Sequence, residues 1–402
     1  MFNLNDFINK YVIKRDRSMF LEDIRSNRDK LTEKIRGKRV LVIGGSGSIG
    51  SSFIKEVLAF RPSSLTVVDI NENGLTELTR DLRSTPGMYV PSEYITYPMD
   101  YSSPVFEKMF RSRGGFDIVA NFSAHKHVRS EKDIYSVEAL IKNNLINAAG
   151  LLKLLSEYPP EEYFCVSTDK AANPVNIMGA SKRIMEDLIF SYSDRFPVKT
   201  ARFANVAFSN GSLPAGFIER MNKLQPLSAP NDVKRYFVSP EESGQICMLA
   251  CMLGENREIF FPKLSEAQMT GFDKIAEDLL KVNGYEPLYL STDEEALERS
   301  KDLWDGSRKY PVRFDVSDTS GEKPYEEFFI EGEETDTERF KSLGVIRGKP
   351  VPDKEKLGKL IKELKDIFDT DAVTKERIVG ILSAYLPDFK HIETGRSLDS
   401  KM

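Results

Sequence analysis

Lys38-Arg39-Val40-Leu41-Val42-Ile43-Gly44-Gly45-Ser46-Gly47-Ser48-Ile49-Gly50 is the stretch that decides the fold. An aliphatic run ends abruptly at glycines, and a helical period takes over through residue 60. Apolar residues without polar alternation suit a strand buried on both faces, as in a parallel sheet clad by helices. The same alternation recurs outward from it. Strands are expected at Lys38–Ile43, Leu65–Asp69, Tyr94–Tyr97, Asp117–Asn121, Tyr163–Ser167 and Val198–Phe203. Helices are expected at 48–60, 74–86, 134–156 and 178–193. Beyond Asn205 the alternation breaks down at Gly211, Pro214, Gly216, Pro226 and Pro230, with helical patterns at 240–253, 271–283 and 353–386.

Strand–helix alternation followed by irregular sequence gives an α/β class: a Rossmann-type doubly wound parallel sheet with a smaller α/β substrate-binding lobe. Helical N- and C-terminal extensions flank it. The expected division is 1–36 for a helical extension packing on the main domain, 37–205 for the dinucleotide domain, 206–349 mainly for the substrate lobe, and 350–402 for a second helical extension. The 57 Lys and Arg against 62 Asp and Glu leave a net charge of −5, which argues against a nucleic-acid partner. Cys165, Cys247 and Cys251 lack metal-ligand spacing, and Cys247 and Cys251 read as core in an apolar helix. No apolar run reaches the ~18 residues of a membrane span, and the first residues lack the blocks of a signal peptide. A soluble, cytoplasmic protein without a membrane partner is expected.

Gly44, Gly47 and Gly50 carry specific duties if this turn holds a dinucleotide. Gly44 allows the tight turn, Gly47 lets backbone amides approach a pyrophosphate, and Gly50 lets helix pack on strand. Ser48 and Ile49 sit between them at the first turn of the helix and complete the cofactor-binding set. Asp69 ends the second strand, 19 residues beyond Gly50. A carboxylate there accepts from ribose hydroxyls and repels a 2′-phosphate, which favours NAD over NADP. The alternative for Asp69 is a helix cap, for which Asn71 and Asn73 compete. Asp100 has the same two readings, adenine contact or cap of a helix starting near Ser103.

Ser167-Thr168-Asp169-Lys170-Ala171-Ala172-Asn173-Pro174-Val175-Asn176-Ile177-Met178-Gly179-Ala180-Ser181-Lys182 closely resembles the nucleotide-sugar 4,6-dehydratases of the CapD-like polysaccharide-biosynthesis branch of the extended short-chain dehydrogenase/reductase family. Ala124-His125-Lys126-His127-Val128, Asn143-Asn144, Arg202-Phe203-Ala204-Asn205-Val206 and Arg235-Tyr236-Phe237 extend the resemblance over roughly 18–345. The usual Tyr four residues before the helix Lys is replaced by Met178, which has no ionisable proton. The resemblance implies that NAD takes hydride from C4 of the sugar, that water leaves across C5 and C6, and that hydride returns to C6. UDP-N-acetylglucosamine is the implied substrate, and surface-glycan or rare-sugar synthesis the implied purpose.

By the same resemblance Asp169 protonates the leaving hydroxyl and Lys170 removes the C5 proton. Lys170 can be a base only if burial or nearby positive charge favours its neutral form, since a carboxylate alone favours the ammonium. Thr168 steadies the 4-oxygen and relays its proton to Asp169 or solvent. Lys182 binds the nicotinamide ribose and adds positive potential, and Met178 packs against sugar or nicotinamide. Lys126, Asn205, Arg235, Glu322 and Lys323 are the implied substrate contacts. Asn144 is an implied structural residue bonding strand backbone, His127 orders its loop, and His125 and His127 alone make no metal site. Pairing through a four-helix interface is common in the family, so a homodimer or larger homo-oligomer is implied. Ala204 replaces a usual Gly, the loop 225–234 reads differently, and 284–320 is long and acidic, which leaves the nucleotide and sugar open. The competing functions are a C4 epimerase of the same family and a redox-inactive NAD-binding scaffold.

Overall fold

The computed structural model describes residues 2–126, 131–317, 325, 327–370 and 373–392. It opens with α1 (Leu4–Phe7) running into a π-helical turn at Ile8–Val12, then α2 (Leu21–Ser26) and α3 (Arg28–Ile35). Alternation begins with β1 (Arg39–Ile43), α4 (Ser48–Leu58), β2 (Ser64–Asp69), α5 (Glu72–Ser84), β3 (Glu93–Pro98), α6 (Pro104–Ser112) and β4 (Ile118–Asn121). The helix expected at 134–156 is one rod with an interruption: α7 (Ile134–Ile141), a second π-helical turn at Lys142–Asn147, and α8 (Ala148–Glu157). β5 (Glu162–Val166), α9 (Ile177–Phe190) and β6 (Val198–Ala201) complete the regular run.

The second half continues with β7 (Asn205–Val206), α10 (Leu213–Asn222), β8 (Leu227–Pro230), β9 (Lys234–Arg235) and β10 (Phe237–Val238). Next come α11 (Pro240–Leu253), β11 (Ile259–Pro262), β12 (Thr270–Gly271), α12 (Phe272–Val282) and β13 (Glu286–Tyr289). The chain ends in α13 (Asp293–Ser300), β14 (Lys309–Asp315), β15 (Glu334–Asp336), β16 (Leu343–Arg347), α14 (Lys354–Phe368) and α15 (Lys375–Tyr385).

Among the described residues, nine strands make one sheet in the order β15-β16-β11-β6-β5-β4-β1-β2-β3. From β3 to β11 every pairing is parallel, with Val40 opposite both Leu65 and Ile118, and β16 then runs antiparallel to β11. Strand order reverses between β1 and β4, which opens a crevice at their carboxyl ends. Val40 to Ile43 are fully buried, as the unbroken aliphatic run requires. Each such side chain contributes about 1.5–3 kcal/mol relative to exposure. α4 packs on α11, which also touches β5, β6 and β11, while α9 lies against β6 and α8. Cys247 and Cys251 are completely buried in α11.

A second core lies under the smaller sheet β13-β14-β8, whose strands are parallel. Leu227, Phe237, Ile275, Leu279, Tyr310 and Val312 form its centre. Phe7, Ile8, Val12 and Ile13 belong to this core, whereas Phe20, Leu31 and Ile35 belong to the main one. The N-terminal segment, expected on the main domain alone, therefore bridges both. Likewise β11, β15 and β16 carry the chain after residue 205 back into the main sheet. α14 and α15 pair with each other and cover the π-helical turn at Lys142–Asn147 and α9. Among the described residues no helix is long and apolar enough to cross a membrane.

Candidate active site

The glycine-rich turn fits a dinucleotide by its own geometry. Gly44 has φ +73°, and a Cβ there would lie 2.7 Å from the Ser123 amide nitrogen at the end of β4. At Gly50 a Cβ would stand 2.4 Å from the Gly44 carbonyl oxygen, so glycine lets α4 start directly against the turn. Gly47 differs: its φ is −70°, and a Cβ would meet only the Gly44 carbonyl at 3.4 Å. The protein itself does not demand a glycine there, whereas a ligand approaching the backbone would. Gly47 is also the N-cap of α4 and makes no side-chain cap, leaving the first amides of a helix whose dipole favours an anion. Ser48 and Ile49 are half-buried in that first turn, and the Ser48 hydroxyl accepts from the Asn210 amide at 2.9 Å, tying the turn to the loop after β7.

Asp69 accepts from the Ser46 amide at 3.0 Å and from the Asn71 amide at 3.0 Å. Asn71, not Asp69, caps α5 by accepting from Gly74. Asp69 thus pins the glycine turn to the end of β2 while its carboxylate keeps further acceptor capacity for a ribose. Asp100 is exposed and accepts from the Ser102 amide and hydroxyl, each at 2.8 Å. Ser103 performs the capping of α6.

Two strands from β1, at the carboxyl end of β5, Thr168, Asp169 and Lys170 converge on one oxygen. Asp169 Oδ1 accepts from the Thr168 hydroxyl at 2.8 Å, from the Lys170 amide at 2.9 Å and from Lys170 Nζ at 3.3 Å. The Asp169 side chain is 4 % exposed and that of Lys170 21 %, so the acid is enclosed and the lysine side chain is partly exposed. Thr168 in extended conformation begins the single 3₁₀ turn Asp169–Ala171, which is why three consecutive side chains cluster rather than alternate.

α9 starts seven residues after Lys170 and packs hard against it. A Cβ on Gly179 would lie 2.7 Å from the Lys170 carbonyl oxygen. Met178 is buried in the main core. Lys182 is buried too, and its Nζ donates to the Val166 carbonyl at 2.9 Å. Burial pushes its pKa down, against the pull of Cys165 and Glu186. The lysine expected at the nicotinamide ribose thus holds the end of β5, although an ammonium with three protons is not exhausted by one carbonyl. Asn144, aimed by the π-helical turn, brackets His125 by accepting from its amide and donating to its carbonyl, both at 3.0 Å, and donates to Ser181 at 3.1 Å.

Two acids in this region were not singled out by the sequence. Glu131 accepts from the Ile177 and Met178 amides at the head of α9. Glu186 grips Arg202 through two bonds of 2.8 and 2.7 Å and accepts from the Ser167 hydroxyl at 2.7 Å, all in full burial. Glu333 adds a 3.0 Å contact to Arg202. Burial alone would raise the Glu186 pKa, but Arg202, with help from Arg183 and Ser167, holds the group low. Glu186 lies on the same helical stripe as Lys182, Arg183 and Asp187, so sequence alone did not separate it from a solvated polar face.

On the substrate side, Lys126 is exposed beyond β4, and Asn205 is half-buried, with its amide donating to the Tyr236 carbonyl at 3.1 Å. Arg235 is buried, opposite Thr270 in the β9–β12 pair. Glu322, Lys323 and His127 lie outside the described residues.

A family model described as polysaccharide biosynthesis protein matches residues 40–347. The uncharacterized membrane protein MJ1061 of Methanocaldococcus jannaschii is 29% identical, over 86% of this chain and 96% of its own length. The probable polysaccharide biosynthesis protein EpsC of Bacillus subtilis is 29% identical over 64% of this chain, which spans only 42% of that relative. A UDP-N-acetylglucosamine 4,6-dehydratase (inverting) of Campylobacter jejuni is 26% identical, over 58% of this chain and 69% of its own. Among solved structures, Pen from Bacillus thuringiensis superposes with a TM-score of 0.63 at 20% identity, covering 82% of this chain and 98% of its own. That likeness shows the fold.

Proposed function

The chain belongs to the polysaccharide biosynthesis protein family, and from that premise we propose that it is a nucleotide-sugar 4,6-dehydratase acting on a UDP-N-acetylhexosamine, with UDP-N-acetylglucosamine as first candidate. The observation that carries the reading is the convergence of Thr168 and Lys170 on the enclosed carboxylate of Asp169. The Campylobacter relative named for this reaction and the glycine turn with Asp69 support substrate and cofactor respectively.

NAD, when bound on the α4 terminus, supplies hydride uptake from C4 and hydride return to C6. The side chains account for the protons. Thr168 passes the O4 proton along its 2.8 Å bond to Asp169. Asp169 then gives that proton to the departing C6 hydroxyl while neutral Lys170 takes the C5 proton. The pair now carries its single proton on the amine. Lys170 returns it to C5 as C6 is reduced, and both side chains regain their starting states. Proton number on the pair runs zero, one, one, zero, so water and the 4-keto-6-deoxy sugar account for every atom. Met178 takes no proton, and this cycle needs none from it.

A C4 epimerase needs no acid at C6, and the enclosed Asp169 favours dehydration over it. The test is to incubate the purified protein with UDP-N-acetylglucosamine and follow mass. Loss of one water that vanishes in both Asp169→Asn and Lys170→Ala, with NAD still bound, is expected. An unchanged mass with a new C4 epimer would give the epimerase, and water loss in either variant would remove the mechanism.

A further inference from the structure

We infer that Glu131 is a positioning residue for the Asp169–Lys170 pair, acting through the head of α9 and held in turn by the C-terminal segment; the inference deepens the function proposed above and rests on it. Glu131 is 8 % exposed, yet its two carboxylate oxygens serve the protein's own backbone. Oε1 accepts from the Met178 amide at 2.8 Å and Oε2 from the Ile177 amide at 3.1 Å. These are the first amides of α9, where a negative charge is favoured by the helix dipole. Asn176 already caps the same helix by accepting from Gly179 at 2.8 Å, so Glu131 is not the only group that fixes the start of α9. What Glu131 adds is lateral location of the first turn.

That location reaches the chemistry through Gly179. The absence of a side chain lets this turn sit directly on the Lys170 carbonyl, where a Cβ would be 2.7 Å away. A shift of the α9 head therefore moves the backbone carrying Lys170 and the amide that donates to Asp169 Oδ1. Glu131 is itself clasped from the far end of the chain. His391 Nε2 lies 3.5 Å from Glu131 Oε2, Lys375 Nζ donates to the Glu131 carbonyl at 2.9 Å, and the Ile392 amide donates to the Val175 carbonyl at 2.9 Å. Val175 stands in the short link between Lys170 and α9. Residues remote in sequence thus converge on that link.

The experiment compares Glu131→Gln and Glu131→Asp with wild type in NAD-loaded protein. The amide keeps one acceptor and the shape but loses the charge, and the aspartate keeps the charge but is shorter. Charge-assisted bonds of this kind predict a kcat fall of roughly ten- to a hundredfold for Glu131→Gln, with KM and NAD occupancy unchanged. Glu131→Asp should retain more kcat than Glu131→Gln. A second readout needs no substrate: trace acetylation of Lys170 with acetic anhydride, read by peptide mass spectrometry, should change about threefold or more in Glu131→Gln. Unchanged kcat, or unchanged Lys170 acetylation, in a folded Glu131→Gln overturns the inference. If wild type converts no nucleotide sugar, the proposed function fails while acetylation still decides the role of Glu131.

Discussion

Gly47 and Gly50 sit three residues apart in one motif, yet the structure assigns them opposite liabilities. A Cβ at Gly50 would be 2.4 Å from the Gly44 carbonyl oxygen and 2.8 Å from the Gly45 Cα, both backbone atoms that cannot rotate away. Restoring ordinary contact requires α4 to retreat by about 1 Å, an overpacking cost of about 1–3 kcal/mol. Gly50→Ala should therefore lower folding stability by that amount even without cofactor, and weaken NAD binding as the helix terminus recedes. Gly47→Ala meets only one atom, at 3.4 Å, and needs no unusual φ. Its cofactor-free stability should fall by less than about 1 kcal/mol. The methyl would stand where the pyrophosphate approaches the amides, so NAD affinity should drop at least about tenfold. Urea unfolding of stripped protein gives the first quantity, and calorimetric titration with NAD gives the second. Full NAD affinity in Gly47→Ala would refute the placement of the pyrophosphate on this turn. Undiminished stability in Gly50→Ala would refute the contact argument.

Arg202→Met leaves Glu186 buried with only Ser167 and the more distant Arg183 as partners, so stability should fall by about 3–5 kcal/mol in urea unfolding; the double variant with Glu186→Leu should recover most of it, and failure to recover would place the loss elsewhere. Glu56, between α4 and α11, has its pKa raised to about 7 by burial and then by Glu241, with Gln245 opposing. Folding therefore favours its protonated form: the stabilisation is complete below pH 4.5 and is lost as pH rises through about 7. The span corresponds to about 3 kcal/mol at most, trimmed by the water that reaches a half-buried side chain. Glu56→Gln should flatten the stability profile between pH 5 and pH 8, and a profile as steep as wild type would count against the assignment.

The main sheet was legible because its signal is local. An apolar run such as Val40–Ile43 cannot be solvated on either face, and a glycine with positive φ such as Gly44 must turn. The contact between Asp169 and Lys170 was legible for the same reason, the two being neighbours in sequence. What the sequence concealed is long-range. Glu131 meets α9 across 46 residues, and His391 and Ile392 reach the same place from the chain's end. None of these contacts follows a helical or strand period. The N-terminal helices were hidden in another way, since Phe7 and Phe20 look equally apolar but enter different cores. The helical period places Lys182 on α9, but the turn of its amine to the Val166 carbonyl has no local sequence signal.

The orientation of Lys182 bears on how Lys170 starts the proposed cycle. A cycle that begins with a carboxylate and a neutral amine has one proton fewer than the resting ion pair implied by the 3.3 Å contact of Lys170 Nζ with Asp169. A carboxylate beside an ammonium resists that loss, so another force must act. Burial is one: a sugar diphosphate filling the cleft removes the water that solvates Lys170, which is only partly exposed to begin with. Lys182 supplies less of the push than its position in the motif suggests, because burial already biases it toward the neutral amine and its donor points at backbone. The nicotinamide ring, cationic in its oxidised form only, is better suited. Lys170 beside an oxidised ring would be biased toward the neutral amine, and beside a reduced ring it would be free to hold a proton. In the proposed cycle the acid and the base could therefore share the one contact seen between Lys170 and Asp169, with a bound cofactor's charge setting when the amine is free.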